Sequence, residues 1–430
     1  MLTASQPIAA NDKSLDMSSK PLEIRAYRSL DELQAIRVPW KELLSDYPLA
    51  TTFSTPEWLM CWWRNFGARQ ELLVAGFYAD SRLVALAPLS LTKFRAGRVI
   101  SLWQLRLMGD SSHDSDNLDL LVRPGFEESF ATSLLHFLER ARGRWDFAQL
   151  NTLPERSPAA HALGQLLRRR KWVVTSNRSP ASAIALPGTW GEYLQSISSK
   201  ERGKITYYSK RLENKYQARF YRCENEDKLP QCLDALFDLH QKRWQSAGQP
   251  GSFASAERRQ FYLDLGRELL ARNLLEFWLV DLNGTPAAAQ FGFRFGTTVS
   301  QLQEGFDRQY ARDSVGYVLR ARVIRELIAQ GVRTYDFLGG SDESKQRWGA
   351  QAGHYLNLSF ARPLTAGAAF LQTQQSAAQS KEWLRRNLPA SAWKILRGIK
   401  VGVRGKEKGA LISPQGAQRK TKESAQDKAS

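Results

Sequence analysis

The sequence has little cysteine, and the few cysteines it has follow no metal-binding or disulfide pattern. It contains 3 Cys in 430 residues, at positions 61, 223 and 232. They form neither a CxxC pair nor a Cys/His cluster with the spacing of a zinc site. The cysteine content therefore excludes a disulfide-stabilised scaffold and is typical of a protein from a reducing compartment.

Long apolar runs are also missing. No stretch approaches the roughly 20 apolar residues that a membrane-spanning helix needs. The first 20 residues have neither a basic start nor an apolar centre, so they predict a disordered leader rather than a signal peptide. We therefore expect a cytoplasmic protein.

Several catalytic motifs are absent as well. The chain has no GxSxG nucleophile elbow, no P-loop and no GxGxxG at a junction between a strand and a helix. It also has no cluster of metal ligands, so no metal site is predicted. These absences argue against serine hydrolase, nucleotide-hydrolysing, Rossmann-type and metal-dependent chemistry.

Positive charge is abundant and unevenly placed. The formal net charge is +18, and residues 381–430 alone hold 13 Lys and Arg against 4 Asp and Glu. A second basic concentration, at 200–222, has 8 basic and 2 acidic residues. Such segments attract nucleic acid or lipid head groups. We expect weak contact of the tail with an anionic membrane or nucleic acid, or simply a solubilising role; the sequence leaves the oligomeric state open.

The order of predicted elements divides the chain into two α+β halves. From 186 to 362 it reads strand, helix and hairpin patterns in an order that residues 21–185 roughly copy. Each half predicts a mixed, mostly antiparallel sheet flanked by helices. Beyond Pro363 the pattern is lost, so 363–430 predicts a basic, largely disordered tail.

The second half contains what an acyl-CoA site needs. Antiparallel strands are followed by the loop "RQYARDSVG" and an amphipathic helix. A pantetheine arm can lie between splayed strands, and backbone N–H groups at a helix start bind pyrophosphate. Gly316 would allow close approach, and Arg308, Arg312 or Arg320 could neutralise phosphate. The simpler interpretation of this segment is an ordinary helix start without a ligand.

Several motifs in order carry a family resemblance. They are "FSTPEWLMCWWRNFG", "LVALAPL", "SDNLDLLVRPG", "LHQKRW", "EGFDRQYARDSVGYVL" and "YDFLGGSDESKQRWG". Over about residues 25–362 the chain resembles the CelD/BcsL-type acyltransferases of the GNAT superfamily, tandem GNAT-like proteins distantly related to the Fem-type aminoacyl transferases. The resemblance implies an acyl-CoA-dependent N- or O-acyltransferase, in an envelope or exopolysaccharide context. The chain departs from the family pattern at Val315, where proline is usual, and at Ser344, where tyrosine is common.

Acyl transfer needs a base for the acceptor's proton. Asp336 ends a strand in an apolar context, where burial would raise its pKa, although it could instead anchor the Gly339–Gly340 turn. His240 is a second candidate base, or a core histidine beside Trp244. Glu304 is a third.

The remaining candidate residues are predicted to bind the two substrates. The acyl-CoA co-substrate would contact Gln303, Arg308, Arg312, Ser314, Gly316 and Tyr317. The acceptor, a small molecule or glycan precursor, would contact Lys345, Arg347, Arg243 and Trp244, although Lys345 and Arg347 could equally lie on a solvated loop. A loop with His113, Asp114 and Asp116 could hold the acceptor between the halves, or be an ordinary surface loop.

Two alternatives stay open. An aminoacyl-tRNA-dependent transferase would use the basic segments as tRNA contacts, but the sequence has no sustained heptad pair for a Fem-type coiled-coil arm. A non-catalytic pair of GNAT-like domains would bind a polysaccharide or an anionic surface. The first half, which lacks a glycine-bearing loop before its helix at 127–142, fits a binding role.

Overall fold

The computed structural model describes residues 22–96, 100–110, 114–245 and 251–387. The predicted leader and the tail from residue 388 onward lie outside these ranges. The strands within them are β1 (Glu23–Tyr27), β2 (Gln70–Ala79), β3 (Arg82–Ala96), β4 (Ile100–Leu107), β5 (Leu121–Val122), β6 (Phe147–Pro154), β7 (Val173–Ala185), β8 (Ala218–Arg222), β9 (Leu275–Leu282), β10 (Thr285–Phe295), β11 (Thr298–Phe306), β12 (Thr334–Gly339) and β13 (Gln351–Ala361).

The helices surround this sheet on both faces. They are α1 (Leu30–Ala35), α2 (Arg37–Asp46), α3 (Pro56–Phe66), α4 (Glu127–Arg140), α5 (Pro158–Arg169), α6 (Trp190–Ser196), α7 (Ser199–Lys215), α8 (Leu229–Gln245), α9 (Ala256–Leu270), α10 (Val315–Ala329), α11 (Glu343–Gln346) and α12 (Ala366–Asn387). Local sequence explains the starts of many of them. In α3, for example, Thr55 accepts the N–H of Trp58 and Pro56 occupies the first turn.

All the strands belong to one continuous sheet. Its order is β1-β2-β3-β4-β6-β13-β7-β12-β11-β10-β9-β8, with β5 paired to β3. The two halves exchange their last strands, because β7 lies beside β12 and β13 lies between β6 and β7. The predicted α+β class, a mixed sheet flanked by helices, is confirmed, and the exchange joins the two halves through backbone hydrogen bonds.

Three features differ from the sequence-based expectations. The segment 189–216, whose pattern predicts one long basic helix, is two helices, α6 and α7, with Ile197 between them in an extended conformation. Strand β13 was not predicted. Residues 366–387, expected to be largely disordered, form α12, whose Ala368 and Leu371 pack on Phe147 and Leu102.

Candidate functional site

The strands β11 and β12 pair only at their beginnings. Their parallel register covers Thr298–Ser300 with Thr334–Asp336 and then ends. At this point β11 has a bulge opposite Gly292. A Cβ on Gly292 would lie 2.5 Å from the carbonyl oxygen of Ser300, so only glycine fits there. The strands consequently separate beyond Asp336 and leave a split in the sheet.

The split separates two of the predicted catalytic residues. Glu304 is the cross-strand partner of Gln290, whose amide donates to the hydroxyl of Tyr335. Tyr335 and Asp336 are neighbours on β12 and therefore point to opposite faces of the sheet. The structure does not bring Glu304 and Asp336 together.

Asp336 has a different partner, Asp116 from the N-terminal half. Asp336 Oδ1 accepts the N–H of Leu338 at 2.7 Å, and Asp116 Oδ2 accepts the N–H of Gly339 at 2.9 Å. Two carboxylates from different halves thus bind consecutive backbone groups at the end of β12. We call Asp116 and Asp336 the carboxyl pair.

The environment of the carboxyl pair raises the pKa of both members. Burial raises the pKa of Asp336 to about 6, and the charge of Asp116 adds to the shift. Burial likewise raises the pKa of Asp116 to about 6, while the N–H of Gly339 and the charge of Lys345 oppose the rise. A carboxylate with a pKa near 6 can accept a proton at neutral pH more effectively than an ordinary aspartate.

The backbone that holds the carboxyl pair is strained and braced. Leu338 has φ +59°, in the left-handed region that a branched side chain rarely adopts. Lys345 Nζ donates to the carbonyl oxygens of Phe337, Gly339 and Gly340 at 3.0, 2.8 and 3.1 Å. All three donors of the ammonium group are therefore engaged in the turn, and the predicted acceptor contact of Lys345 is replaced by a bracing one.

Other polar residues enclose the carboxyl pair. Asp114 is buried and accepts from Arg258, with which it forms an ion pair, and from the hydroxyl of Tyr262 at 2.8 Å. Asn117 donates to the hydroxyl of Tyr355 on β13 at 3.3 Å. The loop 114–117 thus links the halves. The alternative of an ordinary surface loop is wrong for Asp114, and His113 lies outside the described residues.

The start of α10 is held by charges from α7. Asp313, just before the helix, accepts from Arg211 at 2.6 Å, from Lys215 at 3.1 Å and from the hydroxyl of Tyr216 at 2.8 Å. These bonds lower the pKa of Asp313 to about 2, because each donor stabilises the carboxylate. Ser314 begins the helix in the left-handed conformation.

Gly316 follows in the first turn of α10. The three atoms nearest to a Cβ placed there all belong to the side chain of Phe306, and the closest is at 3.4 Å, an ordinary van der Waals contact. The fold itself therefore tolerates alanine at this position, unlike at Gly292. Arg308 and Arg312 lie in the preceding turn and are exposed.

On the α10 side of the split, an ion pair joins α10 to β11, and its arginine also contacts β12. Arg320 from α10 pairs with Glu304 on β11 and lies over the rings of Phe337 and Trp348, at 5.2 and 5.4 Å. Trp348 is buried beneath the guanidinium of Arg320. Tyr317 donates to Glu201 Oε2 at 2.8 Å, and its ring lies 4.3 Å from that of Trp348.

The other candidate residues lie around this centre. His240 is buried on α8 with its ring 4.9 Å from Phe253, and β11 approaches its backbone closely at Gly305. Gln303 is within hydrogen-bonding reach of Tyr262. Arg347 is exposed and pairs with Glu343 at 3.3 Å. Arg243 and Trp244 are on α8, and their side chains lie outside the described part of the structure.

Sequence reasoning missed Tyr355 and Asn117. The alternation in "HYLNLSFA" indicates a strand, and recognising it would have placed Tyr355 on a face of the sheet. The partnership of Asp116 with Asp336 has no local signal, because the residues are more than two hundred positions apart.

Comparison with known proteins defines the class. Residues 199–346, about a third of the chain, match the model of the acetyltransferase (GNAT) domain. No curated protein matches the sequence significantly. The sheet order makes this an α+β protein, and residues 199–346 within its C-terminal half are similar to a GNAT acetyltransferase domain.

Solved structures resemble the chain across both halves. The crystal structure of FemX has a TM-score of 0.53 and 10% identity, covering 79% of this chain and 97% of that one. A conserved protein of unknown function from Bacteroides thetaiotaomicron has a TM-score of 0.49 and 12% identity, covering 79% and 100%. A tandem GNAT protein from the clavulanic acid biosynthesis pathway has a TM-score of 0.45 and 12% identity, covering 79% and 99%. The likeness to FemX is a likeness of fold.

Two further features concern the described residues alone. Among them, no group of three or more His, Cys, Asp or Glu side chains is arranged to hold a metal ion. No helix in the same ranges is long and apolar enough to cross a membrane.

Proposed function

We propose that the protein is an acyl-CoA-dependent N- or O-acyltransferase of the CelD/BcsL type, acting on an amine or hydroxyl of a glycan precursor. The observation that carries the proposal is the carboxyl pair at the open end of the split between β11 and β12. Asp336, a base with a raised pKa, lies at a break in the sheet that acyl-CoA can reach from one face and the acceptor from the other. The first half supplies Asp116, and the second half supplies Asp336 and the donor site.

The residues at the start of α10 fit the phosphates of acyl-CoA. The first turn contains Val315, Gly316 and Tyr317 and no acid, so its N–H groups and the helix dipole favour an anion. Arg308 and Arg312 add positive charge, and Asp313 is neutralised by α7. The corresponding helix of the first half, α4, begins with Glu127 and Glu128, which would repel phosphate. The donor site therefore belongs to the second half.

Acyl-CoA supplies an activated acyl group when bound. The chain's own contribution is to hold and deprotonate the acceptor. Asp336 takes the proton from the acceptor amine or hydroxyl, and burial, aided by the charge of Asp116, keeps the pKa of Asp336 high enough for this. Lys345 fixes the turn that positions both carboxylates. Glu304 and His240, which sit in an ion pair and in an aromatic contact, support the donor-side structure rather than act as bases.

A Fem-like, aminoacyl-tRNA-dependent transferase is the second candidate. The FemX-like fold and the basic helix α7 beside α10 favour it. Arg211 and Lys215 already contact Asp313 next to the donor site, and Lys200 and Lys210 are exposed on the same helix. A polyanionic donor would have a positive surface to follow there. The third candidate is a non-catalytic pair of domains that only binds a glycan or an anionic surface. Such a protein would need neither acyl-CoA nor aminoacyl-tRNA.

Ligand-induced stabilisation distinguishes these candidates. Thermal unfolding would be followed with acetyl-CoA, octanoyl-CoA and palmitoyl-CoA, with ATP as a phosphate control, and with aminoacyl-tRNA. The proposal expects a rise in Tm with at least one CoA thioester that exceeds the rise with ATP. Stabilisation by aminoacyl-tRNA alone would establish the second candidate instead.

The proposal also assigns a cellular setting. It places the protein in the cytoplasm, peripherally at the inner face of the membrane. There the basic tail from residue 388 would contact anionic lipid head groups. Weak binding of the full chain to anionic vesicles, lost when residues 388–430 are removed, is the expected result.

A further inference from the structure

The middle of the sheet carries a row of uncharged polar side chains on one face. We call it the amide strip; its members are Gln104, Gln149, Asn151, Asn177, Ser179 and Asn357. Asn177 is exposed, while Gln149, Asn151, Ser179 and Asn357 are half-buried. The strip crosses β4, β6, β13 and β7. Of these, β4 and β6 pair within the first half, whereas β13 lies between β6 and β7 because the two halves exchange their last strands.

Strand register puts these side chains on the same face. Asn357 on β13 lies directly opposite Asn177 on β7, and Ser359 lies opposite Gln149 on β6. Asn357 and Ser359 are two residues apart on β13 and point the same way. Gln104 joins the row because its amide donates to Gln149 Oε1 at 2.8 Å.

The strip leads directly to the carboxyl pair. Tyr355 precedes Asn357 by two residues on β13 and faces the same side. Its hydroxyl accepts from Asn117, the neighbour of Asp116. Burial raises the pKa of Tyr355, and the nearby carboxylates of Asp116 and Asp336 add to the effect. From Tyr355 to Ser359 the row runs roughly 13 Å, at about 3.3 Å per residue.

The hydrogen-bonding chemistry of the strip suits hydroxyl groups. Asn357 donates to Asn177 at 2.9 Å and to Ser179 at 3.2 Å, which orients the amides while leaving further donors and acceptors available. The nearest charges cancel, because Arg106 pairs with Asp110 at 3.3 Å. Asn151 donates to that Asp110 at 2.9 Å. In a chain with a net charge of +18, this neutral surface favours neither an anion nor an apolar chain.

We propose that the amide strip binds a neutral sugar chain, which lies across the exchanged strands and presents its reacting group to Asp336. The inference rests on the proposed function for the identity of the reacting end. It adds the class of acceptor and the place where the acceptor binds. Sugar hydroxyls both donate and accept hydrogen bonds, as the amide side chains do.

Binding of defined oligosaccharides tests the inference. Cellotetraose and chitotetraose would be titrated into the full chain by calorimetry, with saturation-transfer NMR as a second readout. The informative variant is Asn177→Ala, and its matched control is Ser176→Ala, because the two residues are exposed neighbours on β7 that face opposite sides of the sheet. We expect one of the oligosaccharides to bind, with an affinity about 2- to 10-fold lower for Asn177→Ala, the loss of one or two hydrogen bonds. Ser176→Ala should bind like the wild type.

Two results would overturn the inference. One is no binding of either oligosaccharide at millimolar concentration. The other is equal binding by wild type and Asn177→Ala. The outcome is separate from that of the proposed function, because stabilisation by acyl-CoA depends on α10 and should be the same in Asn177→Ala. If the oligosaccharide binds in a way that depends on Asn177 but acyl-CoA does not stabilise the protein, the sugar site in the amide strip is supported and the proposed acyltransferase activity is contradicted.

Discussion

Asp116 and Asp336 come from different halves of the chain, yet they bind the backbone N–H groups of two consecutive residues, Gly339 and Leu338. Each carboxylate is thereby fixed by the same short turn. The proximity of two acids in a buried site costs stability at neutral pH, and structures keep such arrangements mainly where they serve chemistry.

Replacing the proposed base should remove catalysis without removing donor binding. In Asp336→Asn the side-chain oxygen can still accept the N–H of Leu338, but it cannot take a proton from the acceptor. We expect kcat to fall by about 10²- to 10⁴-fold, with the Kd for acyl-CoA unchanged. Asp146→Asn is the matched control, because Asp146 also accepts a backbone N–H, from Trp103 at 2.7 Å, at a distance from the carboxyl pair. A loss of activity of similar size in both variants would argue against a specific role for Asp336.

The same substitution should stabilise the protein at neutral pH. The pKa of Asp336 is about 6 in the fold against an ordinary value of 3.8. Between these values the folded state binds more protons than the unfolded state, so stability falls as the pH rises from about 4 to about 6. We expect the Tm of Asp336→Asn to exceed that of the wild type at pH 7.5, and the difference to vanish below about pH 4. A variant that is less stable than the wild type at pH 7.5 would contradict the raised pKa.

Removing the second carboxylate should shift the pH dependence of activity. The negative charge of Asp116 raises the pKa of Asp336, so Asp116→Asn should lower that pKa. The acidic limb of the kcat/KM profile, expected near pH 6 in the wild type, should move to lower pH. A limb that stays in place would show that the two carboxylates do not interact as described.

The donor side can be tested at Gly316. The nearest atoms to a Cβ at this position, from Phe306, lie at 3.4 Å or more, and alanine favours helix by about 1 kcal/mol over glycine. Gly316→Ala should therefore fold normally, while its methyl group obstructs close approach of phosphate to the helix start. We expect the Kd for acyl-CoA to rise several-fold with no loss in Tm. Gly164→Ala, a similar change in the helix α5, serves as the control and should leave the Kd unchanged.

The ion pair across the split should behave as a coupled unit. The side chains of Arg320 and Glu304 are 13% and 33% exposed. Breaking a buried ion pair by removing one partner lowers the free energy of unfolding by about 3–5 kcal/mol. Because Glu304 is partly exposed, we expect the loss in Glu304→Leu to lie at or below the lower end of that range. The double variant Arg320→Met/Glu304→Leu should be less destabilised than the sum of the single ones in urea unfolding. Additive effects would indicate that the two residues do not interact.

The sequence predicted the elements better than their connections. Thr55 and Pro56 at the start of α3, and Asn283–Gly284 between β9 and β10, are local signals that can be recognised in the sequence, because capping and turn chemistry depend on neighbours alone. The exchange of β7 and β13 depends on contacts between distant strands, and no local pattern encodes it.

In the candidate site, too, single residues could be predicted from the sequence but their partners could not. Asp336 was singled out from its own strand, whereas its partnership with Asp116 required the assembled sheet. The opposite orientation of Glu304 arises from the bulge beside Gly292, which a two-residue alternation does not anticipate. Lys345 was expected to contact the acceptor, but the turn folds back so that its own carbonyl groups receive the ammonium.

The most direct test of the account is the release of free CoA by wild type and by Asp336→Asn. Acetyl-CoA, octanoyl-CoA and palmitoyl-CoA would be incubated at pH 7.5 with glucosamine, glucose or cellotetraose, and CoA and acylated product would be quantified by mass spectrometry. The account predicts acceptor-dependent CoA release by the wild type, at least about 100-fold slower release by Asp336→Asn, and equal donor binding by both. Equal rates in the two proteins, or no use of any CoA thioester by a protein that accepts aminoacyl-tRNA, would contradict it.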